Sequence, residues 1–270
     1  MTFCLFARHT PEWREMMQRS KRRKSHPILT ILEIVLIGVF LFSAGKIGYA
    51  LWQYHKGDVG YQAIREQVKP AQEHLVSNSG ASESLQEQVD FAKLQQQYPD
   101  AVAWLHCDGT EIDYPVMQAA DNDYYLRRLP NGEWNLGGSL FLDYRSSSDF
   151  SGELSLIYGH NMNDGSMFSD LENYTRQDWY DEHPVFTLET SQGVSNLQVL
   201  YGFIIPAQQW VDLEFDVPGN REQLIDYAAS HTTFISQMQW DGVSPLVALL
   251  TCETTNDQNR YVLLCALQTA

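Results

Sequence analysis

Leu154-Ser155-Leu156-Ile157-Tyr158-Gly159-His160-Asn161-Met162-Asn163-Asp164-Gly165-Ser166-Met167-Phe168 reads as a short buried strand that opens into a loop. The apolar run ends at Tyr158, and Gly159 frees the backbone just before a histidine. Leu246-Val247-Ala248-Leu249-Leu250-Thr251-Cys252 repeats the arrangement, an apolar run that exits on a cysteine. Arg260 follows across a loop of seven residues, which is short enough to bring it back beside the sulfur. If the two strand ends converge, one cleft holds what a thiol-based acyl transfer needs. Cys252 is then the nucleophile, His160 the proton carrier, and Arg260 a permanent cation for a substrate carbonyl and its oxyanion.

Outward from these two runs the chain keeps the same character. Strands are expected over 102–107, 111–118, 139–143, 153–158, 185–189, 197–205, 246–251 and 261–268. Eight short strands separated by turn residues imply a mainly β domain, a closed barrel or a sandwich. Residues 219–237 depart from this. Leu224, Ile225, Ala228 and Ala229 recur at helical spacing and predict a helix between the sixth and seventh strands. Residues 58–98 read as two polar helices interrupted by the Ser/Asn/Gly cluster at 77–84; the first is expected to be a stalk, the second, near 85–97, to lay an apolar stripe on the barrel.

The N-terminal part has a different composition. Residues 1–27 carry seven basic side chains against Glu12 and Glu15, whereas residues 55–270 carry ten basic and 31 acidic ones. Residues 28–51 form a mostly apolar stretch of 24, broken by Glu33 and Lys46. Roughly 20 helical residues cross a bilayer core, so the length suffices, and Trp52 and Tyr54 supply interfacial aromatics. The positive-inside rule keeps the basic end in the cytoplasm and sends the acidic bulk outside. A cleaved signal peptide is the rival reading, disfavoured by the long basic leader. The expected division is a cytoplasmic tail at 1–27, a single-pass anchor at 28–53, helices at 54–98 and the barrel at 99–270. So acidic an outer domain repels phosphate backbones and argues against a nucleic-acid partner.

Four cysteines are present, and Cys4 falls on the cytoplasmic side. Cys107 and Cys265 lie in apolar runs and read as buried small hydrophobes. A Cys252–Cys265 bridge stays open at this level, and it would abolish the thiol chemistry. Asp241, Glu253 and Asp257 read as solvated charges, with Asp257 a lesser candidate for orienting a catalytic partner; nothing in the pattern requires a metal or a cofactor.

Residues 158–162, 164–168 and 250–253, with Arg260, resemble the sortases, class B in particular. The resemblance extends to Trp104-Leu105 and to residues 112–118, 122–126 and 138–143, and covers about 85–267. It implies a membrane-anchored cysteine transpeptidase with a closed eight-stranded β-barrel, N-terminal helices and an extra helix between strands 6 and 7. It implies cleavage of a C-terminal sorting signal after its threonine, of the Leu-Pro-x-Thr-Gly or Asn-Pro-x-Thr kind. The acyl group would pass through a thioester on Cys252 to an amine of a peptidoglycan precursor or a pilin. Carried over by position, Cys252 is the nucleophile, His160 the proton donor and acceptor, and Arg260 the oxyanion partner; Asn161, Ser166 and Thr251 are expected near the substrate. One position departs from the family's Thr-Leu-x-Thr-Cys, since Ala248 stands where the first threonine does. A thiol peptidase using the same residues, or a non-catalytic surface module, is the alternative.

Overall fold

The computed structural model describes residues 27–69, 88–213, 220–254, 256 and 258–269. The basic leader with Cys4, the break at 77–84, the start of the expected second helix and Asp257 lie outside the described residues. The chain divides into two compact units, one ending at Tyr49 and one comprising Ala50–Ala270. In the first, helix α1 (Pro27–Val68) begins with apolar side chains turned outward, and it is long and apolar enough to cross a membrane.

The second unit is a closed barrel of eight strands. They are β1 (Ala101–His106), β2 (Asp113–Met117), β3 (Leu140–Leu142), β4 (Leu154–Tyr158), β5 (Val185–Thr190), β6 (Gly193–Pro206), β7 (Leu246–Cys252) and β8 (Asn259–Thr269). The order around the barrel is β1-β2-β3-β4-β7-β8-β6-β5. The pairs β2–β3 and β4–β7 are parallel and the rest antiparallel. The mainly β, eight-stranded barrel expected from the sequence is therefore what the chain forms.

Side-chain alternation splits β7 between two apolar cores. Val247 and Leu249 point into the barrel among Trp104, Phe186 and Leu263. Leu246, Ala248 and Leu250 point the other way, into a second cluster with Leu156, Phe203, Val262, Leu264 and residues of the covering helices. Ala248 is fully buried there, opposite Leu156 on β4 and Leu264 on β8, so the missing threonine is filled by neighbouring apolar side chains.

The helix expected between strands 6 and 7 is present but shorter, and it has a companion. Helix α4 (Ala207–Leu213) follows β6 directly, and α5 (Asn220–His231) stops six residues before the expected end. Thr232 and Thr233 end it by turning their hydroxyls to the backbone of Gly202: Thr232 Oγ1 accepts from its N–H and Thr233 Oγ1 donates to its carbonyl. Among the described residues the unit also holds α2 (Phe91–Gln97), capped by the Asp90 carboxylate, and the six-residue α3 (Gln177–Glu182).

The expected stalk is a correction. The second half of α1 lies on the barrel, burying Gln53, Gly57, Tyr61, Ile64 and Val68 at helical spacing. Asn135 donates to the Gln53 carbonyl (2.8 Å), Tyr61 donates to the Gly138 carbonyl (2.6 Å), and Lys69 pairs with Asp113 (2.5 Å). A face with that many buried contacts is part of the domain rather than a spacer.

Candidate active site

Three strand ends meet at one rim of the barrel. Cys252 closes β7 and Arg260 is the second residue of β8, and the two are direct partners across this antiparallel pair. Residues opposite one another in such a pair hold their Cβ atoms about 4.5–5.5 Å apart. On the other side of β7, β4 runs parallel, with Tyr158 level with Leu250 and the Gly159 N–H donating to the Leu250 carbonyl (3.0 Å). Carrying that register two residues further sets His160 level with Cys252. Alternation also puts all three side chains on one face, since Leu156, Leu250 and Val262 share the second cluster and His160, Cys252 and Arg260 follow them in phase. The three line a common cleft of about 260 Å³, together with Leu126, Phe141 and Tyr158.

Gly159 has its own reason to be glycine. It does not occupy left-handed backbone, but a Cβ there would lie 2.5 Å from Leu140 Cδ2 and 2.6 Å from the Phe168 ring. The backbone thus passes over a buried aromatic just before presenting His160, and Phe168 N–H returns to bond the His160 carbonyl (2.9 Å). His160 Nε2 sits 2.8 Å from the Leu126 carbonyl. A carbonyl only accepts, so Nε2 carries a proton, and in the neutral ring the basic lone pair is on Nδ1. Burial pushes the imidazole below its ordinary pKa, and the Arg127 charge pushes the same way, against the opposing pull of the Leu126 bond.

Cys252 is free and partly exposed, whereas the other two described thiols, Cys107 and Cys265, are free but buried. Burial raises the Cys107 thiol to about 11 and raises Cys265 as well. The Cys252–Cys265 bridge left open by the sequence is not formed. Cys265 pairs with Val247, five residues along β7 from Cys252, or about 17 Å at the rise of an extended strand.

The supporting residues are distributed unevenly. Asn161 uses its amide as a strut, donating to the Cys252 carbonyl (3.0 Å) and to Thr254 Oγ1 (2.8 Å). Thr254 in turn donates from both its backbone N–H and its hydroxyl to the Glu172 carboxylate, which ties the β7–β8 loop to the turn Ser169–Thr175. Thr251 lines the cleft but is almost wholly buried. Ser166 is not in the cleft; its hydroxyl donates to Asp164 (2.7 Å) and it lines a separate small cavity.

Two residues of the cleft that the sequence did not single out, Asn122 and Tyr158, both donate to Asp143, which is fully buried. Burial opposes the Asp143 charge, but two guanidinium bonds from Arg145 and the Asn122 amide outweigh it and hold the carboxyl below its usual range. The only sequence signal for them was their membership of the matched segments.

No model of a protein family matches the chain. Sortase B of Listeria monocytogenes is 32% identical over 233 residues, which cover 85% of this chain and 91% of that protein. This chain belongs to the class B sortases. Solved structures agree. A Streptococcus pyogenes class B sortase involved in pilus biogenesis superposes with a TM-score of 0.60 at 29% identity, covering 67% of this sortase and 98% of that chain. A sortase B complexed with triglycine does so with a TM-score of 0.61 at 25% identity, covering 67% and 86%. The sortase is thus a cysteine transpeptidase or protease-like enzyme, and the partly exposed thiol of its cleft is the group such chemistry requires.

Proposed function

We propose that this sortase cleaves the C-terminal sorting signal of surface proteins after threonine and transfers the acyl group to an amine, with Cys252, His160 and Arg260 carrying the reaction. One observation carries the reading: a residue with a free, partly exposed thiol stands directly across a strand pair from an arginine, and a histidine from the parallel neighbour lines the same cleft.

In the first half-reaction the Cys252 proton passes to His160 Nδ1, and the thiolate attacks the threonine carbonyl carbon. The Arg260 guanidinium balances the oxyanion. As the tetrahedral intermediate collapses, the C–N bond breaks and the Nδ1 proton goes to the departing amine, leaving a thioester. A buried imidazolium holds that proton weakly, which suits it to the transfer. In the second half the incoming amine attacks the thioester, gives its proton to Nδ1 and expels the thiolate. The Nε2–H bond to Leu126 fixes the ring through both steps.

The sorting signal is of the Leu-Pro-x-Thr-Gly or Asn-Pro-x-Thr kind, and the acceptor is the amine of a peptidoglycan precursor or a pilin. The triglycine complex of one similar sortase and the pilus role of another support an acceptor of this class. The basic leader stays in the cytoplasm, residues 28–53 anchor the chain in the cell membrane as a single span, and the barrel acts outside the cell; the apolar start of α1 supports this arrangement. The reading excludes nucleic acid and needs no cofactor.

The test is to incubate the full-length sortase in detergent with sorting-signal peptides, with and without an added amine, and to follow both the acyl-enzyme and the products by mass spectrometry. A thioester on Cys252 and an amide adduct are expected, with the thioester lost in Cys252→Ala and the rate strongly reduced in His160→Ala and Arg260→Ala. Free acid alone at saturating amine would mark a peptidase instead.

A further inference from the structure

His160 is held through two pieces of backbone, and both lead to one side chain outside the barrel. The first is the Leu126 carbonyl, which accepts from Nε2. Its position is set by Gly138, which adopts left-handed backbone (φ +57°) and approaches so closely that a Cβ would lie 2.4 Å from that same oxygen. The Gly138 carbonyl accepts from the Tyr61 hydroxyl on α1 (2.6 Å), with Ser139 Oγ 3.1 Å away. The second is the loop that returns behind the ring. Met167 has left-handed backbone (φ 59°) and its N–H donates to the Tyr114 hydroxyl (3.3 Å), while the next N–H, that of Phe168, holds the His160 carbonyl. Tyr114 is braced edge-to-face by the ring of Tyr61 (centroids 5.0 Å apart, 81°), and the Arg65 guanidinium lies over its face.

A non-glycine residue in left-handed backbone stays there only when its surroundings hold it. Met167 is buried in the barrel core, and a cavity of about 40 Å³ lined by Tyr61, Arg65, Tyr114, Met162 and Ser166 lies beside it. The loop is therefore held by that packing and by its hydrogen bonds together. Tyr61 is buried and sits at the one point where both supports meet.

We propose that Tyr61 is a positioning residue for His160: through the Gly138 and Leu126 carbonyls on one side and Tyr114 and the Met167 backbone on the other, it sets where Nδ1 points in the cleft. The inference rests on His160 being the proton carrier of the reaction. It makes the second half of α1 part of the machinery that orients the catalytic group, although no atom of that helix lines the cleft.

Tyr61→Phe in the full-length sortase in detergent removes the hydroxyl and keeps the ring. With rates normalised to active sites counted by Cys252 labelling, kcat falls on the order of 10-fold with KM unchanged, as a small misplacement of a catalytic group does. The His160 imidazole resonance and its titration midpoint shift, read against the charged or titrating groups around it, Arg127, Cys252 and Arg260. Tyr114→Phe, which removes the acceptor for Met167 N–H, moves the same two readouts in the same direction. Lys56→Gln on the same helix, which breaks the pair of Lys56 with Glu133 of the barrel unit (2.7 Å), lowers stability slightly and leaves both readouts unchanged. Melting temperatures, together with labelling at Cys107 and Cys265, which occurs only in unfolded molecules and is subtracted from the count, separate misfolding from misplacement. Wild-type kcat and an unmoved His160 resonance in Tyr61→Phe overturn the proposal, as does a change confined to KM. If His160→Ala itself keeps normal turnover, the reading of His160 falls instead, whatever Tyr61→Phe does.

Discussion

Replacing Gly159 by alanine tests how the histidine is presented. The added methyl meets Leu140 Cδ2 at 2.5 Å and two atoms of the Phe168 ring at 2.6 and 2.7 Å, all inside normal contact. Neither neighbour has free space, since both Leu140 and Phe168 are fully buried. Overpacking of this kind costs about 1–3 kcal/mol. For a unit of this size each kcal/mol lowers Tm by about 2–4 °C, so calorimetry should show a drop of about 2–12 °C. Relief by moving the Phe168 ring also drags its N–H, which holds the His160 carbonyl, and kcat should fall with stability. The diagnostic is a double-mutant cycle with Phe168→Leu. The smaller side chain costs stability alone but opens room for the methyl, so the double variant should be more stable than the sum of the singles by at least about 0.5 kcal/mol. Additive losses, or a Gly159→Ala protein that melts with the wild type, would show that the close approach is not what requires glycine there.

Arg260→Lys keeps the charge but loses the multidentate plane opposite Cys252; kcat for thioester formation should drop about 100-fold, measured by single-turnover acylation. A thiol-reactive probe on the native protein should modify Cys252 but not Cys107 or Cys265, which label only after denaturation, as peptide mapping would read directly. A third expectation concerns pH. The Asp113 carboxylate raises His106, aided by Asp108, while burial opposes it. Burial of Asp113 is in turn outweighed by the nearby His106 ring (Nδ1 at 3.5 Å) and by bonds from Lys69 and Trp104, which hold its carboxyl down. The charged pair therefore adds stability between the ordinary carboxylate and histidine values, about pH 4 to 6.5. The His106 share is lost as pH rises through its raised folded value, and the Asp113 share as pH falls through its lowered one. The Tm of the wild type relative to that of His106→Gln should fall from pH 6 to 8; a constant difference would refute the assignment.

Much of this was legible in the order of residues. Alternation and turn residues located all eight strands, and the seven-residue gap between Cys252 and Arg260 correctly implied a strand pair that sets them side by side. His160 was legible as a residue at a strand exit, but its neighbour across the sheet was not, because a parallel pairing such as β4–β7 leaves no local mark. The helix stripe of Tyr61, Ile64 and Val68 was hidden for another reason: in a 42-residue helix whose first half is apolar on every side, a modest one-sided pattern in the second half has little contrast. Ser166 shares a loop with His160, so proximity in sequence suggested proximity in space. The turns at Gly165 and Met167, both in left-handed backbone, send it to a separate small cavity. The end of α5 depended on hydroxyl bonds from Thr232 and Thr233 to a strand some thirty residues earlier, which helical periodicity does not register.

The parallel neighbourhood of β4 and β7 has a consequence in time as well as in space. Asn161 and Cys252 are 91 positions apart, and β5, β6 and the helices α3, α4 and α5 are made between them. A nascent or translocating chain, emerging N-terminus first, therefore carries an imidazole with no sulfur to deprotonate, and the sulfur arrives with no cation until β8 follows. On the proposed roles, the thiol gains its base and its cation only when the last two strands zip into place beside the fourth.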